Sequence, residues 1–63
     1  MNQTSLTLWL TVREVADRLR VSRMTVYRLI ESGGITAYRI GHLLRVPADA
    51  VEEYISRQRV GAA

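Results

Sequence analysis

Residues 11–33 read TVREVADRLRVSRMTVYRLIESG, and this stretch decides how the rest of the 63-residue chain is arranged. Thr11 and Glu14 stand three apart just before an apolar repeat, the spacing at which a threonine hydroxyl and a glutamate carboxylate cap each other's backbone amides. Leu10 and Val15 occupy the two positions of a hydrophobic staple. Val12, Val15, Ala16 and Leu19 trace the i, i+3, i+4, i+7 pattern of one helix face. Arg13, Glu14, Asp17 and Arg18 fill the opposite face, where Arg13–Asp17 and Glu14–Arg18 are spaced for i,i+4 ion pairing. Ser22 is a good N-cap for a second helix with a stripe of Val26, Leu29 and Ile30. That helix ends at Ser32-Gly33-Gly34, where glycine accepts the left-handed conformation. Only Arg20 and Val21 lie between the helices, so they must cross steeply, with Val21 expected as the plug between them.

Two short helices with a tight turn make a helix-turn-helix. Facing away from the second helix's stripe are Arg23, Met24, Tyr27, Arg28 and Thr25. Guanidiniums, a phenol and hydroxyls beside a helix N-terminus suit phosphates and base edges. Thr25 has a second reading, half-buried against the first helix, and Arg23 and Arg28 a second reading as a solvated face.

The charge distribution sharpens this. Residues 20–45 hold Arg20, Arg23, Arg28, Arg39 and Arg45 against Glu31 alone, a net of +4. Residues 1–19 sum to zero and residues 46–63 to −1, so the chain's +3 is concentrated on the second helix and the segment after it. Such a local excess is the electrostatic footprint of nucleic-acid binding. All nine cations are arginines, whose planar fork matches guanine and phosphate; a GC-rich coding sequence is the other source of that bias.

Outside the central stretch, Met1 to Ser5 is polar and expected to be disordered. Leu6, Leu8 and Leu10 alternate with Thr7 and Trp9, as in a short strand or an extended arm. Trp9 either covers an edge of the core or meets another protein. Residues 35–46 read as a β-hairpin turning at Gly41-His42, with Leu44 and Val46 inward and Leu43 and Arg45 outward. A lone hairpin is unstable, so it must lean on the helices as a wing, with Arg39, His42 and Arg45 as candidate DNA contacts. His42 reads equally well as a solvated turn residue. Pro47 opens a third helix with Asp49 in its first turn, a stripe of Ala50, Val51, Tyr54 and Ile55, solvent-facing Glu52 and Glu53, and Arg57 and Arg59 near its end. The domain boundaries expected are an arm over 1–9, the binding domain over 10–59 and a small-residue tail over 60–63.

The same composition narrows the function. With no cysteine and one histidine, thiolate metal sites, disulfides and a metal site at His42 are not expected, nor is any cofactor. No nucleophile–base set or carboxylate pair in a pocket is visible, so an enzyme is not expected. No apolar run reaches the ~20 residues of a membrane span and no signal peptide is apparent, which makes the bacterial cytoplasm the expected location. A protein-interaction module is the remaining rival, through exposed Trp9, Tyr27, Met24 and Leu43.

The run L-T-V-x-E-V-A-x-x-L-x-V-S-R-x-T-V-Y-R-L-I-x-S-G over residues 10–33, with A-Y-R-I-G-x-x-x-R-V-P over 37–47, resembles the small excisionase-type DNA-binding domains, relatives of the MerR-type winged helix-turn-helix. The similarity covers residues 10–56. Arg20 departs from it, since these domains often place glycine in that turn. The resemblance implies a mainly α, three-helix winged helix-turn-helix with a β-hairpin wing. The residues themselves, read on this fold, place the DNA contacts at Ser22, Arg23, Thr25, Tyr27 and Arg28 on the second helix and at Arg39, His42 and Arg45 on the wing. The resemblance further implies a recombination directionality factor that binds tandem sites cooperatively through self-association, bends double-stranded DNA and helps a site-specific integrase excise a phage or mobile element. No heptad-bearing dimerisation helix is seen after the domain, unlike the MerR-type regulators. A small stand-alone transcriptional regulator of the same fold is the alternative.

Overall fold

A computed structural model of the chain describes residues 8–61. In order these form β1 (Trp9–Leu10), α1 (Val12–Leu19), α2 (Arg23–Glu31), β2 (Tyr38–Ile40), β3 (Leu43–Pro47) and α3 (Ala48–Arg57). The three strands make one antiparallel sheet in the order β1-β3-β2. This is the expected winged helix-turn-helix, three helices and a hairpin. The N-terminal segment adds a short third strand to the wing, and the Ala48 N–H extends that pairing by donating to the Leu8 carbonyl at 2.9 Å. The expected arm and tail lie largely outside the described residues.

α1 begins with the reciprocal cap read from the sequence. The Glu14 N–H donates to Thr11 Oγ1 at 3.0 Å and the Thr11 N–H donates to Glu14 Oε1 at 2.8 Å. α2 begins at Ser22, whose Oγ accepts the Thr25 N–H at 3.1 Å. Both helices end in the same way. After α1, Arg20 takes the left-handed conformation (φ 58°, ψ 45°), its N–H donating to the Asp17 carbonyl and the Val21 N–H to that of Ala16. After α2, Gly33 does so (φ 84°), its N–H donating to the Ile30 carbonyl and the Gly34 N–H to that of Leu29. These are paired Schellman endings, one built on glycine and one on arginine. Among the described residues Arg20 is the only non-glycine with positive φ, so it carries strain that Gly33 does not.

The core is small and mostly valine: Val12, Val15, Ala16, Val26, Ile35, Val46 and Val51, with Leu10, Leu19, Leu29, Ile30, Leu44 and Tyr54 packed around it. Each helix and β3 contributes at least one fully buried side chain. Ile35, 2% exposed, lies in no helix or strand. The hairpin expected from residue 35 starts only at Tyr38, because Ile35 is drawn under the helices instead of onto the sheet.

Several local expectations change. Val21 is 39% exposed and does not plug the helix crossing; its backbone is committed to the α1 ending, which leaves its side chain at the surface. Neither i,i+4 pair of α1 forms. Glu14 is occupied in the cap, and Arg18 reaches across to Glu52 of α3 at 2.5 Å. Glu52 and Glu53 stay exposed, as expected, and each is ion-paired, Glu53 to Arg57 at 3.6 Å. Arg57 also donates to the Gly34 carbonyl at 2.7 Å, tying α3 to the end of α2. Ile55 is 37% exposed, on the margin of the stripe predicted to bury it. Pro47 ends β3 and sits at the N-cap of α3, one position earlier than expected, with φ −62° and no side-chain cap.

Directly opposed residues of an antiparallel pair share a face. Leu10 and Val46 on one side, and Leu44 with Arg39, therefore look toward the helices. Trp9, Pro47, Tyr38, Arg45, Ile40 and Leu43 lie on the outer face, where the Trp9 and Tyr38 rings meet edge-to-face with centroids 5.5 Å apart. Trp9 thus covers the outside of the sheet, not an edge of the core.

Two substitutions probe the strained turn and the small core. Arg20→Gly should stabilise the domain by roughly 0.5–1 kcal/mol, read as a rise of several degrees in the thermal midpoint. Ile35→Ala should destabilise it by about 2–5 kcal/mol, comparable to the whole stability of so small a core, leaving a largely unfolded chain by circular dichroism.

Candidate nucleic-acid interface

The first turns of α1 and α2 and the wing converge on an open cleft of about 470 Å³. Thr11, Val12 and Arg13 line it from α1, Arg23 and Tyr27 from α2, and Arg39, His42, Leu43, Leu44 and Arg45 from the hairpin. Four arginines and a histidine border this space and no acid does. Like charges gathered at a concave surface focus a positive potential, and such a surface attracts polyanions.

Local chemistry explains the placement. Arg23 is the first residue of α2, held there by the Ser22 cap, and Tyr27 comes one turn later on the same side. Gly41 (φ 65°) with His42 makes the two-residue reversal that brings Arg39 and Arg45 into the same wing. Arg45 is half-buried, and its Nη1 donates to the Leu44 carbonyl at 2.8 Å, so one edge of its guanidinium is fixed while the rest stays available.

Of the residues expected from the sequence, Arg23, Tyr27, Arg39, His42 and Arg45 are brought together at the cleft. Ser22, Thr25 and Arg28 are not among its lining. Ser22 and Thr25 are engaged with each other, Oγ to Oγ1 at 3.0 Å, and Thr25 is half-buried. Arg28 is exposed one turn beyond Met24 on α2. Arg13 is the residue that sequence reasoning missed. Its spacing suggests a surface pair with Asp17, yet no such pair forms and it lines the cleft opposite the wing. No spacing in the sequence signals this: Arg13 stands in the first turn of α1, two residues after the Thr11 cap. Among the described residues no group of three or more His, Cys, Asp or Glu side chains is placed to hold a metal ion. No helix there is long and apolar enough to cross a membrane.

Comparison with known proteins identifies the architecture. A family model described as a helix-turn-helix domain matches residues 9–59. An excisionase of Streptomyces ambofaciens is 45% identical over 49 residues, which cover 78% of this chain and 79% of the relative. A Saccharopolyspora erythraea protein named a probable excisionase is 44% identical over 48 residues, covering 76% of this chain and 49% of its own length. A Mycobacterium tuberculosis protein provisionally named as DNA-binding is 49% identical over 53 residues, 84% of this chain and 68% of the relative. With its capped helix pair, its wing and these relatives, the chain belongs to the family of small helix-turn-helix DNA-binding domains of the excisionase type.

Proposed function

We propose that this chain is an excisionase, a recombination directionality factor that binds tandem sites on double-stranded DNA, bends the duplex and promotes integrase-mediated excision of a phage or mobile element. The observation that carries the DNA contact is the acid-free arginine cleft shared by the start of α2 and the wing. The excisionase names of two relatives extend that contact to excision. In this reading residues 10–59 are the binding domain, with an arm before and a tail after it. The protein works in the bacterial cytoplasm, associated with DNA, and the fold is akin to MerR-type domains.

The N-terminal half of α2 enters the major groove. Arg23 reads a guanine by two parallel N–H bonds to O6 and N7, the commonest specific contact in that groove. Tyr27 and Arg28 add contacts along the groove wall. Ser22 and Thr25, at the amide-rich start of α2, meet phosphate. Arg39, His42 and Arg45 hold the wing to the backbone or the neighbouring minor groove, and Arg13 anchors the strand on the far side of the cleft.

A domain of this size makes few contacts, so one copy binds weakly. Useful occupancy comes from neighbouring copies that touch on adjacent sites, for which the exposed Trp9–Tyr38 face is available. The mycobacterial relative bears a DNA-binding name without excision, and a small stand-alone transcriptional regulator is accordingly the second reading.

A titration of DNA from the gene's own neighbourhood, read by gel shift and footprint, separates the two. An excisionase gives a ladder of complexes, steep cooperativity and a long phased footprint. A single complex on one short site favours the regulator. Within that assay Arg23→Ala should lose about 1–3 kcal/mol and relax preference at one base pair. Arg13→Ala should instead weaken all sequences alike and reduce the slope of log K against log salt by about one.

A further inference from the structure

α2 carries one exposed large apolar side chain that neither the core nor the cleft accounts for. Met24 is 57% exposed in the first turn of the helix. Two residues before fully buried Val26, it stands on about the opposite side of the helix, where it contributes nothing to the core. It is not among the residues lining the cleft, whereas its neighbour Arg23 is. Arg28 lies one turn on along the same side of the helix and Arg23 is the adjacent residue, so both guanidinium-bearing positions are close by in the chain. The other side chains at this end are committed elsewhere: the Thr25 hydroxyl to Ser22, and Tyr27 to the cleft.

We propose that Met24 is a specificity-determining residue that reads the 5-methyl group of a thymine in the major groove. The inference rests on α2 being the helix that enters that groove. The first turn of such a helix lies nearest the base edges. In unmodified DNA the thymine methyl is the one apolar group displayed there. Methionine is unbranched and polarizable, and it adapts its shape to a small apolar partner. A flanking arginine that reads guanine would make the preferred step a thymine beside a guanine.

The test begins with a duplex selected from a randomised pool by the wild-type protein. Each thymine is then replaced in turn by deoxyuridine, which removes the methyl and leaves base pairing intact. Affinities are measured for wild type, Met24→Ala and Met24→Leu. Wild type should bind about fourfold more weakly when one particular thymine is replaced, equivalent to the ~0.8 kcal/mol of one buried methyl-sized group. Met24→Ala should be indifferent at that same position, and Met24→Leu should keep most of the sensitivity. Because Met24 is exposed, both variants should melt like wild type. The proposal is overturned if wild type tolerates every deoxyuridine, or if Met24→Ala retains full sensitivity. Selection of a duplex with either of those results leaves DNA binding intact and removes only this role of Met24. Failure to select or bind any duplex removes both.

Discussion

The position of the wing depends on β3. A two-stranded hairpin with an exposed β2 has too little buried surface to hold itself in place. β3 is paired on both edges, by β2 along the hairpin and by β1 through Trp9–Pro47 and Leu10–Val46. Its Val46 side chain is fully buried in the same core as Val15 of α1, Val26 of α2 and Val51 of α3. β3 packs directly on α1 and α3, and the shared core links the wing to α2 as well. The strand runs directly into α3, where the fixed φ of Pro47 sets the change of direction.

That constraint turns two separate basic segments into one surface. Arg13 and Arg23 belong to different helices, and Arg39 and Arg45 to different strands and opposite faces of the sheet, yet all four border one cleft. The opposite side of the molecule uses its charges differently. Arg18–Glu52 and Arg57–Glu53 pair across or along the helices, and Arg57 closes the end of α2 at the Gly34 carbonyl. Exposed pairs of this sort contribute at most about 1 kcal/mol each. Their larger effect is on the field: acids stand beside the arginines on the α3 side and none lines the cleft, so the positive potential is directional.

The features legible in the sequence are those governed by neighbours in the chain. The Thr11–Glu14 box, the Ser22 cap, the Gly33 ending and the Gly41-His42 reversal each need only a few residues, and each forms where its residues specify it. The left-handed Arg20 is legible only in part: the resemblance marks the position as one where glycine is usual, and the structure shows that arginine takes the same conformation there. The illegible parts depend on what the fold brings near. Arg18 pairs with Glu52 and not Glu14 because Glu14 is held by the cap and the fold brings Glu52 of α3 within its reach. Ile35 is buried although it sits in a connection whose pattern resembles a strand. Arg13 reaches the cleft because α1 and the wing share a core, and no spacing in the sequence carries that information. Trp9 has no unique assignment from sequence, since its partner Tyr38 is supplied by another strand across β3.

The central claim is that the start of α2 and the wing act as one DNA-binding surface around the cleft. The most direct measurement is a titration of isotope-labelled protein with a bound duplex, following each backbone amide and arginine side-chain signal by NMR. Residues 11–13, 23–28 and 39–45 should shift together with a single affinity, while α3 and the Arg18–Glu52 pair stay unperturbed. Shifts centred on α3, or on α2 with the wing unchanged, would contradict the claim.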